Sequence, residues 1–329
     1  MKIKILLLVT VFWVPCLFAQ VKIYDLVVID SVKFADSYEQ NYLHWPLGGC
    51  ITKNGELLVV NGGENQVLLC DSAYSVKEIW GRKGRGPGEF EFQYGFMNGG
   101  YVRCFDGEIY IFDKRNNRIQ VFYPNGELVR SLPFSYDIFG MTILNNKEFA
   151  CSFSCPSIGG LFDIDGKKRL DIKSDDFRPI QENRRSVMQV VANKQSELLC
   201  FSENWPLIFK YNNKMEYQGF VLLKSPFKKN HMLTKIFTMN SSIYEVEQKS
   251  FFKVEGRILR SVEYVDPYYC AFYGRFIVLL DSDLNICEVY RIPLLGEDSF
   301  TLRAIKDKEK FILFCNDNVY VLGIVGATA

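Results

Sequence analysis

Short apolar runs separated by polar turns recur along the whole chain, while sustained 3.6-residue periodicity, the mark of helices, is scarce. Six stretches share one arrangement: NGELLVV from Asn54, DGEIYIF from Asp106, NKEFACSF from Asn146, QSELLCF from Gln195, DPYYCAF from Asp266 and KEKFILFC from Lys308. Each sets a tight polar turn ahead of a short apolar, aromatic or β-branched run, which predicts a buried strand entered from a hairpin. The turn positions Gly55, Gly107, Lys147, Ser196, Pro267 and Glu309 recur at intervals of 52, 40, 49, 71 and 42 residues. Four-stranded propeller blades repeat every ~40–50 residues, so the spacing predicts a propeller.

Roughly ten residues after each turn a second strand follows: QVLLCD from Gln66, RIQVFY from Arg118, GLFDID from Gly160, PLIFKY from Pro206, RFIVLLD from Arg275 and VYVLGIV from Val319. A further turn, such as PNG at residues 124–126, leads into a more polar strand such as ELVRSLPF or KRLDI. That loss of hydrophobicity is expected of a half-solvated outer strand. The sixth unit ends without an outer strand. VKIYDLVVIDSVKF, from Val21, alternates apolar and polar residues ahead of the first repeat, and pairing it with the last unit would remove two open sheet edges. The predicted architecture is all-β: a single six-bladed β-propeller domain over residues 20–329, with four-stranded antiparallel blades and the last blade closed by the N-terminal strand. Residues 175–187 and 225–249 depart from the repeat, and the second stretch accounts for the 71-residue interval.

GRKGRGPGEF, residues 81–90, together with GEIYIFDKRNNRIQVFYPNGELV from Gly107, resembles the NHL-type repeats, and most closely the exported six-bladed β-propeller family of Bacteroidetes. The resemblance is specific over residues 55–129 and is one of rhythm in the later units. It implies a secreted, periplasmic or surface-exposed propeller, often lipid-anchored and mostly without an established biochemical activity.

The N terminus fits that setting. Lys2 and Lys4 precede an apolar run over residues 5–13 and a polar exit at Gln20, the pattern of a secretory signal peptide. Cleavage is placed between Ala19 and Gln20, giving a signal peptide over residues 1–19. A lipid anchor at Cys16 is the less favoured alternative, because Trp13 and Pro15 suit it poorly. The apolar run is shorter than the ~18–20 residues of a membrane span, so no transmembrane segment is expected. A formal net charge of +1 argues against whole-surface attraction to nucleic acid or acidic membranes, and export argues against nucleic acid as a partner. Beyond Cys16 there are nine cysteines. Cys70, Cys104, Cys200, Cys270 and Cys315 lie in or beside apolar runs and read as small buried core residues. Cys151 and Cys155, on one extended strand, would stand roughly 13 Å apart, beyond disulfide reach without a turn between them.

Little catalytic chemistry is legible. GRKGRGPGEF is not a phosphate loop: Pro87 removes an N–H, no Ser or Thr follows, and the downstream pattern is strand. Gly84, Gly86, Pro87, Gly88, Glu89 and Phe90 read instead as the crossing from one blade to the next, with Phe90 packed between blades. His44 and His231 are too few for a histidine-lined metal site. DIDG at Asp163 and DSDLN at Asp281 read as hairpin turns rather than calcium loops. No catalytic residue, metal or cofactor is assigned. Asn98, Arg103, Asn193, Arg260, Glu263 and Arg303 are candidates to line the channel, the setting of an alternative reading as a metal-assisted hydrolase or lyase of lactonase type. Propeller topology places the loops bearing Arg82, Lys83, Arg85, Lys114, Arg115, Arg118, Arg184 and Arg185 on one face. The favoured function is a monomeric, non-catalytic binding or scaffolding module whose basic loop face meets an exported protein or glycan, anionic in character.

Overall fold

The computed structural model describes residues 21–34, 41–92, 102–145, 148–153, 158–173, 188–203, 207–223, 242–246, 249–253, 259–273, 276–293, 295, 303–307, 309–315 and 318–325. Among them regular structure is β-strand throughout, apart from the three-residue 3-10 turn Lys114–Asn116. Two N-terminal strands, β1 (Lys22–Ser31) and β2 (Lys33–Phe34), precede the repeats. The first sheet holds β3 (Pro46–Ile51), β4 (Leu57–Asn61), β5 (Gln66–Cys70) and β6 (Ser75–Trp80), with β2 on its outer edge. The second holds β7 (Val102–Phe105), β8 (Glu108–Asp113), β9 (Arg118–Phe122) and β10 (Leu128–Pro133). The third holds β11 (Ile138–Asn145), β12 (Glu148–Phe153), β13 (Gly159–Asp163) and β14 (Lys168–Ile172). The fourth holds β15 (Met188–Ala192), β16 (Leu198–Ser202), β17 (Leu207–Tyr211) and β18 (Tyr217–Leu222). A separate hairpin, β19 (Ser242–Val246) and β20 (Lys249–Lys253), falls in the 71-residue interval.

The remaining strands are β21 (Leu259–Val265), β22 (Tyr268–Tyr273), β23 (Phe276–Leu280), β24 (Ile286–Arg291), β25 (Arg303–Asp307), β26 (Lys310–Phe314) and β27 (Val319–Ile324). They join β1 in one eight-stranded sheet, ordered β21-β22-β23-β24-β1-β27-β26-β25. The alternating N-terminal segment pairs antiparallel with β27, from Leu26 opposite Ile324 to Ser31 opposite Tyr320. It does more than close the last unit. Its first half runs parallel to β24, from Lys22 opposite Glu288 to Asp25 opposite Arg291, so one strand covers the outer edges of both the four-strand set β21–β24 and the three-strand set β25–β27.

Both faces of the sheets are buried, which explains why the second strands are continuous apolar runs. In β4, Leu57 and Val59 pack with Ile305, Ile312 and Phe314, whereas Leu58 and Val60 pack with Val102, Ile109 and Ile111. The same alternation yields six apolar clusters among the described residues, each shared by two adjacent strand sets, the last joining β25–β27 to the first sheet. The first strands neighbour one another in the cyclic order β3, β7, β11, β15, β21, β25 and back to β3.

A single side-chain device shapes several turns. Asp163 ends the third strand of its set and Asp71, Asn212 and Asp281 directly follow theirs, and each side-chain Oδ1 accepts the backbone N–H groups two and four residues on, at 2.8–3.1 Å. Asp163 and Asp281 are therefore turn-formers, as their hairpin reading implies. Replacing Asp281 by alanine removes two acceptor contacts from an exposed turn, and a loss of about 1–2 kcal/mol in unfolding free energy is expected. Denaturant titration reads it directly, and an unchanged midpoint would remove this role.

Candidate functional site

The chain between the first two sheets, residues 81–92, leaves β6 and folds on itself before β7. Phe90 N–H donates to Arg82 O at 2.8 Å and Gly84 N–H to Phe90 O at 3.0 Å. The Glu89 carboxylate accepts Gly86 N–H at 2.8 Å. A Cβ on Gly84 would lie 2.1 Å from Glu89 Oε2, so a larger residue there would displace that carboxylate. Gly88 has a φ of +74°, a conformation open to glycine at no Cβ penalty, and its N–H donates to Gln120 Oε1 at 3.0 Å. Pro87 is exposed. Phe90 is fully buried between the first and second sheets, its ring stacked on Phe92 with centroids 4.9 Å apart and 5.7 Å from that of Phe122.

The second sheet supplies the partners this loop backbone requires. Asp113, wholly buried at the end of β8, accepts Glu91 N–H at 2.9 Å, Asn116 Nδ2 at 2.8 Å and Arg118 Nε at 2.9 Å. Arg118 passes its remaining donors to Arg85 O, Gly86 O and Glu89 O at 2.8–2.9 Å. Gln120 Nε2 adds a second bond to Glu89 O at 2.8 Å, and Asn116 Nδ2 one to Gly84 O at 2.8 Å. From the first sheet, Asn65 Oδ1 accepts Phe92 N–H at 2.9 Å.

The cations of this region differ in role. Arg118, 13% exposed, is a structural tie, which corrects its grouping with the surface charges. Lys114 is largely buried and paired with Asp137. Arg82 binds Glu89 at 2.7 Å, while Arg85 and Arg115 approach Glu91 at 3.8 and 3.4 Å. The guanidinium groups of these three stay open to solvent, with side chains 81%, 85% and 53% exposed. Lys83 is exposed and carries no ion pair among the described residues. Four carboxylates, Glu89, Glu91, Asp113 and Asp137, therefore sit among six cations, and the sector is less positive than the loop charges alone suggest. The Gly86 N–H and then Arg82 hold the Glu89 carboxyl below the usual carboxylate range. Its tie to the crossing is thus complete at neutral pH and is lost only as pH falls through that lowered value. Arg184 and Arg185 lie outside the described residues.

A second feature occupies the axis of the strand ring. A cavity of about 500 Å³ is walled by β3, β7, β11, β15, β21 and β25, and among the described residues its polar lining is Arg103, Thr142, Asn193, Lys194, Glu263, Tyr264 and Lys306. Arg103 donates Nε to Met141 O at 2.8 Å and Nη1 to Val102 O at 2.9 Å, and Nη1 stands 3.6 Å from Glu263 Oε1. The disulfide Cys50–Cys104 ties β3 to β7 in the same wall, with Cα atoms 5.9 Å apart.

No protein-family model and no curated protein matches the sequence. Solved structures do. Virginiamycin B lyase from Staphylococcus aureus superposes with a TM-score of 0.55 at 11% identity, over 91% of this chain and all of the other. A member of the DUF4221 family from Bacteroides vulgatus gives 0.57 at 13% identity, over 91% and 97%. A presumptive exported protein from Bacteroides fragilis gives 0.54 at 11%, over 92% and 99%. The shared fold is a β-propeller. At these identities the likeness carries the fold alone.

Within the propeller, the cavity is the central channel. Of the candidate lining residues, Arg103, Asn193 and Glu263 do line it. Arg260 is not among its walls, and Asn98 and the Arg303 side chain are outside the description. Thr142, Lys194 and Lys306 escape sequence inspection, since nothing in a strand's composition says which alternate residues face an axis. His44 Nδ1 lies 3.3 Å from Glu64 Oε1 on a half-exposed loop, away from the channel lining. Among the described residues no three of His, Cys, Asp and Glu converge as metal ligands, and no helix is long and apolar enough to cross a membrane. Cys70, Cys151, Cys200, Cys270 and Cys315 are buried and lie outside the described disulfide. Cys104 is the exception to the core reading. Its partner Cys50 holds nearly the same place in the preceding repeat, and that equivalence is the signal that would have found the pair.

Proposed function

We propose that this chain is an exported six-bladed β-propeller, folded as one domain after removal of residues 1–19, and that it serves as a non-catalytic binding module for an exported protein or glycan of anionic character. The cyclic order of the first strands and the six inter-sheet clusters support the blade count. The binding reading rests on one observation: Arg82, Arg85 and Arg115 are exposed to solvent while Glu89 and Glu91 hold their head groups over a crossing anchored on buried Asp113. Charged groups held in place before binding lose little rotamer freedom when a partner arrives. A rigid scaffold carrying exposed loop residues is a common form of recognition surface.

Heparin, as a polyanionic glycan, is the probe. The wild-type chain is expected to be retained on a heparin column at low salt and to elute as salt rises, because exposed ion pairs are screened. Reversing Arg82, Arg85 and Arg115 to glutamate should abolish retention without moving the melting temperature by more than a few degrees. Equal retention of the two proteins would refute the basic face.

A further inference from the structure

We infer that the central channel is a binding site for a small organic acid, a carboxylate carrying an apolar body, with Arg103 as the group that receives the carboxylate. This is independent of the loop-face reading, which concerns a different surface. About 500 Å³ falls within the ~300–1,000 Å³ of small-molecule sites, which are mainly apolar with a few convergent polar groups. The apolar part of this wall comes from all six first strands, represented by Ile51, Phe105, Ile143, Val191, Val262 and Ile305.

The polar part selects an anion. Among the described residues of the wall, Arg103, Lys194 and Lys306 face one carboxylate, Glu263. Lys194 is paired with Asp266 at 2.6 Å. Arg103 is fixed rather than free: Met141 O, Val102 O and the nearby Glu263 hold Nε and Nη1. Its Nη2, with two N–H donors, has no partner among the described residues. A guanidinium fixed by backbone carbonyls offers its remaining edge to a carboxylate at little further entropic cost. Thr142 lines the same channel. Its Oγ1 accepts Ala192 N–H at 3.1 Å, which leaves the hydroxyl proton to donate to the same ligand.

A second hollow of about 200 Å³ has Ile51, Cys104 and Phe105 in common with the channel wall and is lined further by Lys53, Asp106 and Glu108. Cations outnumbering carboxylates along the described channel wall favour a carboxylate over an amine of the same shape.

The test is titration calorimetry on the full mature chain with octanoate, octylamine and octanamide. Octanoate is expected to bind about tenfold more tightly than the other two, the difference of one charge-assisted contact. Arg103→Gln should remove that preference. Because Arg103 also braces the backbone, Ile143→Trp serves as the second variant: it keeps Arg103 and fills the apolar space from a half-exposed wall position, and it should lose octanoate binding while still melting cooperatively. Equal binding of all three probes, no octanoate binding at millimolar concentration, or undiminished binding in Ile143→Trp would each overturn the inference. Loss of heparin retention with intact octanoate binding, or the reverse, separates this site from the loop face.

Discussion

Asp113→Ala is expected to lower the unfolding free energy by about 3–5 kcal/mol, the range for breaking a buried ion pair by deleting one partner. The carboxylate is wholly buried and serves Glu91 N–H, Asn116, Arg118 and, at 3.4 Å, Gln120. Its loss strands Arg118, whose side chain is 13% exposed, and frees the carbonyl ties to Arg85, Gly86 and Glu89. Asp113→Asn should cost less, since an amide oxygen can still accept the Glu91 N–H. The double variant Asp113→Ala with Arg118→Ala should cost clearly less than the sum of the two single changes, because the residues act through one network. Urea titrations of the four proteins measure this. Additive losses, or a loss below about 1 kcal/mol for Asp113→Ala, would mean that the crossing does not depend on the buried carboxylate.

The second large effect is expected at the Cys50–Cys104 bond. It closes a loop with a sequence separation of 54 residues, and constraining such a loop in the unfolded chain stabilises the fold by about 4 kcal/mol in the chain-entropy model. Cys50→Ser with Cys104→Ser should therefore lower the denaturant midpoint substantially, and reduction of the wild-type protein should shift it to the same place. The buried Cys70 thiol provides a control. Burial pushes the Cys70 thiol up to about 12, so it stays protonated and unreactive at neutral pH. Mass spectrometry after alkylation of the native, unreduced protein should leave Cys50 and Cys104 unlabelled, with label appearing on both after reduction. A midpoint indifferent to reductant would show that the bond does not stabilise the fold.

The sequence by itself determined the all-β class, the positions of the recurring strands and the pairing of the N-terminal segment with the last strand. The reason is local: a period-two strand buried on both faces must be apolar throughout, as in LLVV of β4, and the turns between such strands need Asp, Asn or Gly. Asp163 and Asp281 were legible as turn-formers because their acceptors bind N–H groups only two and four residues away. Phe90 and the glycines of residues 81–90 stood out for the same reason, as composition that only a tight crossing requires.

Tertiary structure alone decided which charges pair and which residues meet. Arg118 and Arg115 are three positions apart and alike in sequence, yet one is locked under the crossing and the other faces solvent, because Asp113 and the 85–89 carbonyls lie against only one of them. Cys50 meets Cys104, and Arg103 meets Glu263 from a strand 160 residues away. The parallel pairing of β1 with β24 belongs to the same class. Ring closure brings these groups together: it sets the first strand of every unit around one axis, a long-range arrangement that local propensity and spacing do not encode.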